Sequence, residues 1–184
     1  MADVPRTADI VIIGGGVHGA SAAYHFARKK AGRVVLIEKK FIASGPTGRS
    51  TALVRQFYAM DFFTRSACAA HAMFRHWKDV IGGDGDPGFQ KVGMLALAGP
   101  DQAANLRRNA QRAAELGAGV VLLSPDELKR LVPAMRVDDL ALASYEADSG
   151  YADPSSTANS WRYRNIPRIK TGRWNSCAWL VAKI

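Results

Sequence analysis

A glycine turn set between a short apolar run and a helix constrains this chain more than any other feature. Ala8-Asp-Ile-Val-Ile-Ile13 is a β-branched run of the kind buried in a parallel sheet. It stops at Gly14-Gly15-Gly16-Val17-His18-Gly19. From Val17 to Lys30 the residues favour a helix, with Arg28, Lys29 and Lys30 at the end where cations suit the helix dipole. Gly32 closes it, and Arg33-Val-Val-Leu-Ile-Glu38 reads as a second strand. A strand–turn–helix–strand unit of about 30 residues predicts a right-handed crossover and an α/β fold.

The turn fits G-x-G-x-x-G, a weak pattern by itself. Its setting, after a buried strand, at the start of a helix and 19 residues before Glu38, is the one a dinucleotide site requires. Gly14 permits the tight turn, Gly16 lets a pyrophosphate approach the backbone, and Gly19 allows close helix–sheet packing. The amides of Gly15, Val17 and His18 lie at a helix N-terminus, which favours phosphate. The Glu38 carboxylate can accept hydrogen bonds from both ribose hydroxyls and would repel a 2′-phosphate. A purely structural glycine turn is the alternative, and the pattern does not separate NAD from FAD.

Further along, Ser44 to Ser50 is a small-residue loop, and Asp61 to Val80 spaces Phe63, Ala67, Ala70, Phe74 and Trp77 as one helical stripe. Gly82 to Gly88 is a turn cluster. Lys91 to Ala98 reads as a strand, Asp101 to Leu116 as an amphipathic helix stopped by Gly117, and Val120 to Leu123 as a brief strand. Ser124-Pro-Asp-Glu127 is a capping box opening a short helix that ends before Pro133.

Composition excludes several classes. The chain has 184 residues, 48% hydrophobic and 22% charged, a globular balance long enough for its own core. Two cysteines exclude a disulfide scaffold and a Cys-rich zinc module, and the four histidines form no metal set, His71 and His76 being five apart. No apolar run is long enough for a membrane span or a signal segment, so a soluble cytoplasmic protein is expected. The net charge is +9, but Trp161 to Ile184 holds six basic residues and no acid, which leaves residues 1–160 at only +3. Three of the four tryptophans lie in that tail. Arginine interleaved with aromatics there could suit nucleic acid, but no nucleic-acid fold surrounds it, and no such partner is expected.

Three segments in order carry a family resemblance: Asp9 to Ala27 around the glycine turn, Val35-Leu-Ile-Glu-Lys39, and Gly48-Arg-Ser-Thr-Ala-Leu-Val-Arg55. With Val92-Gly-Met-Leu95, Ser124-Pro-Asp-Glu127 and Tyr145 to Pro154, residues 8–160 resemble the D-amino-acid-oxidase-like FAD-dependent oxidoreductases. The branch most resembled is that of sarcosine oxidase, glycine oxidase and dimethylglycine dehydrogenase. The resemblance implies FAD, its adenosine on Gly14–Gly19 and Glu38 with Lys39, and its flavin end near Arg49, Ser50 and Thr51. It implies an amine or amino-acid substrate whose carboxylate Arg55 binds through a guanidinium fork, a geometry lysine lacks. A surface ion pair is the alternative for Arg55, and a solvated loop charge for Arg49. The implied reaction passes a hydride from the amine-bearing carbon to the flavin, the imine then hydrolyses, and electrons leave to O₂ or a carrier.

The resemblance further implies an α/β fold: an incomplete Rossmann-type FAD-binding βαβ sheet with the start of an α+β substrate domain. Its parts are residues 1–80 for the nucleotide domain, 81–150 for the substrate domain, 151–160 returning to the first, and 161–184 as an aberrant basic tail. The alanine-rich helix of relatives begins at Ser155 to Ser160, and then Pro167 and the lost helical period interrupt it. A shifted reading frame after Ser160 and an early stop are expected from that break. So are an uncovered sheet edge and little turnover by this chain. A nicotinamide-dependent dehydrogenase and a non-catalytic nucleotide-binding fragment are the alternatives.

Overall fold

The computed structural model describes residues 5–82 and 86–152, together with the backbone of 169–174 and 177–182. The chain divides into two units, one of Met1–Ala52, Gly82–Pro87 and Pro154–Ile184, the other of Leu53–Ile81 and Gly88–Asp153.

In the first unit, β1 (Ile10–Ile13) leads through the glycine turn into α1 (Val17–Arg28) and on to β2 (Val34–Glu38). The two strands run parallel, from Ile10 opposite Val34 to Ile13 opposite Ile37. Lys30 and Gly32, at φ 52 and 103, turn the chain from helix to strand. Ala23, Val34 and Leu36 form a buried cluster with Ile10, Ile12 and Ile42 packed on it. The expectation that β1 is buried on both faces is corrected: Val11 and Ile13 are 55% and 87% exposed. α1 covers one face of the strand pair, so alternate side chains of β1 are left to solvent.

Past Ser160, where the helical period is lost, the backbone forms β9 (Ile169–Trp174) and β10 (Cys177–Ala182). β10 pairs antiparallel with β2, and the sheet order is β1-β2-β10-β9. β2 is therefore paired on both sides, and β1 and β9 stand at the ends of this sheet. Ile169, Thr171, Trp174, Trp179 and Val181 are residues that suit a pleated strand. The helix start at Ser155 to Ser160 and the Trp161–Pro167 stretch lie outside the described residues.

The second unit holds β3 (Leu53–Val54), α2 (Asp61–Arg75), α3 (Trp77–Ile81), β4 (Phe89–Lys91), β5 (Met94–Ala98), α4 (Pro100–Glu115), β6 (Val121–Leu123), α5 (Pro125–Leu131), β7 (Leu142–Glu146) and β8 (Gly150–Ala152). Two small antiparallel sheets form, ordered β3-β8-β4 and β5-β7-β6. Ala110, Ala113, Ala118 and Val120 make its apolar centre, with Phe57, Cys68 and Leu122 against them. Residues 53–80 pack in this unit, where β3 pairs with β8 and the Asp61 carboxylate accepts from Arg112 Nη2 at 2.6 Å and Nε at 3.2 Å.

Three local expectations change. The helix over Asp61–Val80 breaks at His76, whose φ −115 and ψ 39 are not helical, and its buried side carries Thr64 and His71 while Phe63 is 49% exposed. Both polar groups are buried because each has a partner: Thr64 Oγ1 donates to Tyr58 O at 2.9 Å, and His71 Nε2 lies 2.8 Å from Asp148 O. The strand over Lys91–Ala98 splits into β4 and β5 at Gly93, at φ 77, where a Cβ would sit 2.8 Å from the Tyr145 ring. The capping box forms as expected: Glu127 N donates to Ser124 Oγ at 3.3 Å and Ser124 N to Glu127 Oε2 at 2.7 Å.

Candidate functional site

The glycine turn is built by mutual exclusion of side chains. Gly14 N donates to Ile37 O at 2.8 Å, which ties the turn to the end of β2, and Gly14 itself sits at φ 104. A Cβ on Gly19 would run into the Gly14 carbonyl, and one on Gly15 would lie 2.6 Å from Ile42 Cδ1. These glycines are held by close approach of backbone to backbone and to the neighbouring loop.

Gly16 forms the N-cap of α1 in extended geometry, with no side-chain cap and no acid in the first turn. Among the described residues, the amides of Gly16, His18 and Gly19 meet no acceptor. Several aligned donors and the positive helix end therefore face the mouth of the turn, an arrangement that fits a phosphate pair. Val17 N is taken by Thr47 Oγ1 at 3.0 Å. Thr47 belongs to a loop docked on the turn, Ala43 N donating to Gly15 O at 2.9 Å and Gly48 N to Ala43 O at 3.0 Å. The sequence motif passes over Thr47; the only signal was the small-residue loop containing it.

Glu38 stands beside the turn at the end of β2. Its Oε2 accepts from Gly15 N at 2.8 Å and its Oε1 from Lys40 N at 2.9 Å. Its pKa nonetheless ends below the usual 4.5: burial, the largest single influence, pushes it up, but hydrogen bonds from the Gly15, Lys40 and Lys39 backbones and the Lys39 charge together outweigh burial. The two carboxylate oxygens offer about four lone-pair directions, so these bonds leave room to accept from a ribose hydroxyl.

Gly14–Gly19, Glu38 and Lys39 are thus brought together, with Lys39 exposed. Arg49, Ser50 and Thr51 follow in the same unit and are exposed: Arg49 ends the 3-10 turn Pro46–Arg49, and Ser50 Oγ accepts from Ala52 N at 2.9 Å. Arg55 belongs to the second unit, directly after β3. It is half-buried, its guanidinium carbon is 4.4 Å from the Tyr58 ring centroid, and among the described residues it has no acidic partner. The ion-pair reading of Arg55 finds no support there.

The model of the DAO family, described as FAD dependent oxidoreductase, matches residues 9–164. FAD-dependent oxidoreductase domain-containing protein 1 of Bos taurus is 32% identical over 160 residues, which cover 82% of this chain and 33% of that protein. Mitochondrial sarcosine dehydrogenase of Mus musculus is 30% identical over 164 residues, covering 85% of this chain and 17% of that protein. Among solved structures, L-proline dehydrogenase from P. horikoshii superposes with a TM-score of 0.74 at 28% identity, covering 85% of this chain and 41% of that one. The chain therefore spans between about a sixth and a third of the length of these curated relatives. No helix among the described residues is long and apolar enough to cross a membrane.

Proposed function

The chain belongs to the DAO family of FAD dependent oxidoreductases, and from that premise we propose that it supplies the adenosine and pyrophosphate cradle of a FAD-dependent amine or amino-acid oxidoreductase. The observation that carries this reading is the α1 N-terminus without a side-chain cap, where the amides of Gly16, His18 and Gly19 meet no acceptor among the described residues and the Glu38 carboxylate stands beside them. Gly14, Gly15, Gly16, Val17, His18 and Gly19 form the phosphate turn, and Thr47 fixes it by holding Val17 N. Glu38 takes the ribose hydroxyls, and Lys39 adds charge beside it. Arg49, Ser50 and Thr51 are exposed donors for the flavin end.

When bound, FAD supplies the two-electron acceptor for oxidation of a carbon–nitrogen bond. The chain's own part is binding and orientation. Arg55 is a half-buried guanidinium without an acidic partner among the described residues, and it takes the carboxylate of a small amino-acid substrate such as those named for the sarcosine and proline dehydrogenases. O₂ or a carrier would be the final electron acceptor.

Purified chain titrated with FAD tests the cradle. Saturable binding, with flavin absorbance retained through gel filtration and NADH failing to compete, is the expected result. Absence of FAD binding by folded protein would overturn the reading.

A further inference from the structure

Glu146, at the end of β7, is 3% exposed, and a carboxylate removed from water needs strong donors. It has no cationic partner within ion-pair distance among the described residues. Its Oε2 instead collects three donors: Gln56 N at 2.6 Å, Phe57 N at 3.1 Å and Ser149 Oγ at 2.8 Å. Ser149 is itself fully buried. Two of the three donors are the consecutive amides that follow Arg55.

The rest of that segment is fixed in the same manner. Gln56 is buried, and its Oε1 accepts from Gly119 N at 3.3 Å. Thr64 Oγ1 holds Tyr58 O, and the Tyr58 ring carries the Arg55 guanidinium at 4.4 Å. Buried polar side chains thus grip residues 56, 57 and 58, while the Arg55 side chain has no hydrogen-bond or ion-pair partner of its own among the described residues. A buried carboxylate is costly unless its donors are well aimed, and here two of those donors are backbone amides that an apolar side chain would leave without this acceptor.

We propose that Glu146 is a positioning residue for Arg55: by anchoring the Gln56 and Phe57 amides it sets where the guanidinium fork meets a ligand carboxylate. The inference rests on the assignment of Arg55 as the carboxylate anchor and extends it to a residue 91 positions away in sequence. All the groups involved lie in the second unit.

The test uses the full 184-residue chain, ¹⁵N-labelled and titrated with sodium acetate. The Arg55 Nε–Hε resonance reports binding, and thermal melts report folding. Wild type shows a saturable shift of that resonance, and R55M abolishes acetate binding. E146L lowers affinity of the folded protein about tenfold, since small misplacements of an orienting group cost at least that much. E146Q keeps an oxygen acceptor and recovers most of the affinity. S149A leaves the carboxylate in place but removes one donor, and it lowers affinity about threefold, which covers the case in which E146L does not fold. If R55M abolishes binding while S149A and every folded Glu146 variant bind acetate as wild type does, the positioning role is overturned and Arg55 keeps its own. If wild type binds no acetate, or R55M binds it unchanged, the anchor assignment fails and the positioning role fails with it.

Discussion

Gly14 and Gly19 are both glycines of one motif, yet they are required for different reasons. Gly14 has open space around its Cβ position and is fixed only by φ 104; Gly19 has ordinary backbone angles but faces the Gly14 carbonyl. Alanine at Gly14 therefore costs backbone strain, about 1–3 kcal/mol. Alanine at Gly19 must push the turn apart and lose the amide array. G19A should weaken FAD binding more than G14A does, by at least about tenfold if one anion-binding amide moves out of reach; isothermal titration of the two folded variants compares them. Glu38 gives a second prediction with a definite sign. Its folded pKa lies below 4.5, so its contribution to stability is complete above that value and is lost as pH falls from there through the lower folded pKa. Wild type should lose stability relative to E38Q only on acidification below 4.5, measured as the difference in urea midpoints. A difference that grows instead towards alkaline pH would contradict the hydrogen-bonding pattern at Gly15 and Lys40.

Elements whose signals are local were legible, and those that depend on distant partners were not. α5 was readable because Ser124, Pro125 and Glu127 carry its start within four residues, and the reciprocal bonds are present. S124A removes the cap from a helix of seven residues and should cost about 1 kcal/mol in urea unfolding, against a few tenths for S124G. Glu127, whose pKa is lowered first by the Ser124 backbone N–H and then by its hydroxyl, should make that difference shrink below pH 4.5, as the carboxylate protonates. The buried stripe of α2 was misread because apolar spacing favoured Phe63, whereas Thr64 and His71 are buried by partners at Tyr58 and Asp148 that no helical period announces. β3 and β8 have only two and three residues, too few for a two-residue alternation to appear. They exist because Leu53 and Val54 face Tyr151 and Gly150, about a hundred residues on.

At the scale of the whole chain, the family and its cofactor were legible in three ordered motifs, while the change of unit at Ala52–Leu53 was not. The sequence favoured a boundary near residue 80, at the glycine cluster, because turn residues mark visible punctuation. The chain does change unit there, at Ile81–Gly82 and Pro87–Gly88, but it also changes at Ala52–Leu53, where composition gives no sign and the pairing of β3 with β8 places Leu53 in the second unit. One consequence concerns which part of FAD the chain can recognise. In the proposed cradle the amides of Gly16, His18 and Gly19 serve phosphate, Glu38 serves ribose and Thr47 braces the turn through Val17 N, and all of them lie within Met1–Ala52. Binding energy should therefore reside in the adenosine diphosphate half. ADP should raise the melting temperature nearly as far as FAD at equal saturation, riboflavin should raise it little, and a ligand at a hundred times its Kd should add about 2.7 kcal/mol of stability by mass action. Differential scanning fluorimetry with the three ligands reads this directly. Equal shifts from riboflavin and FAD, with none from ADP, would move the affinity to the flavin end and leave the α1 N-terminus without the role its amides suggest.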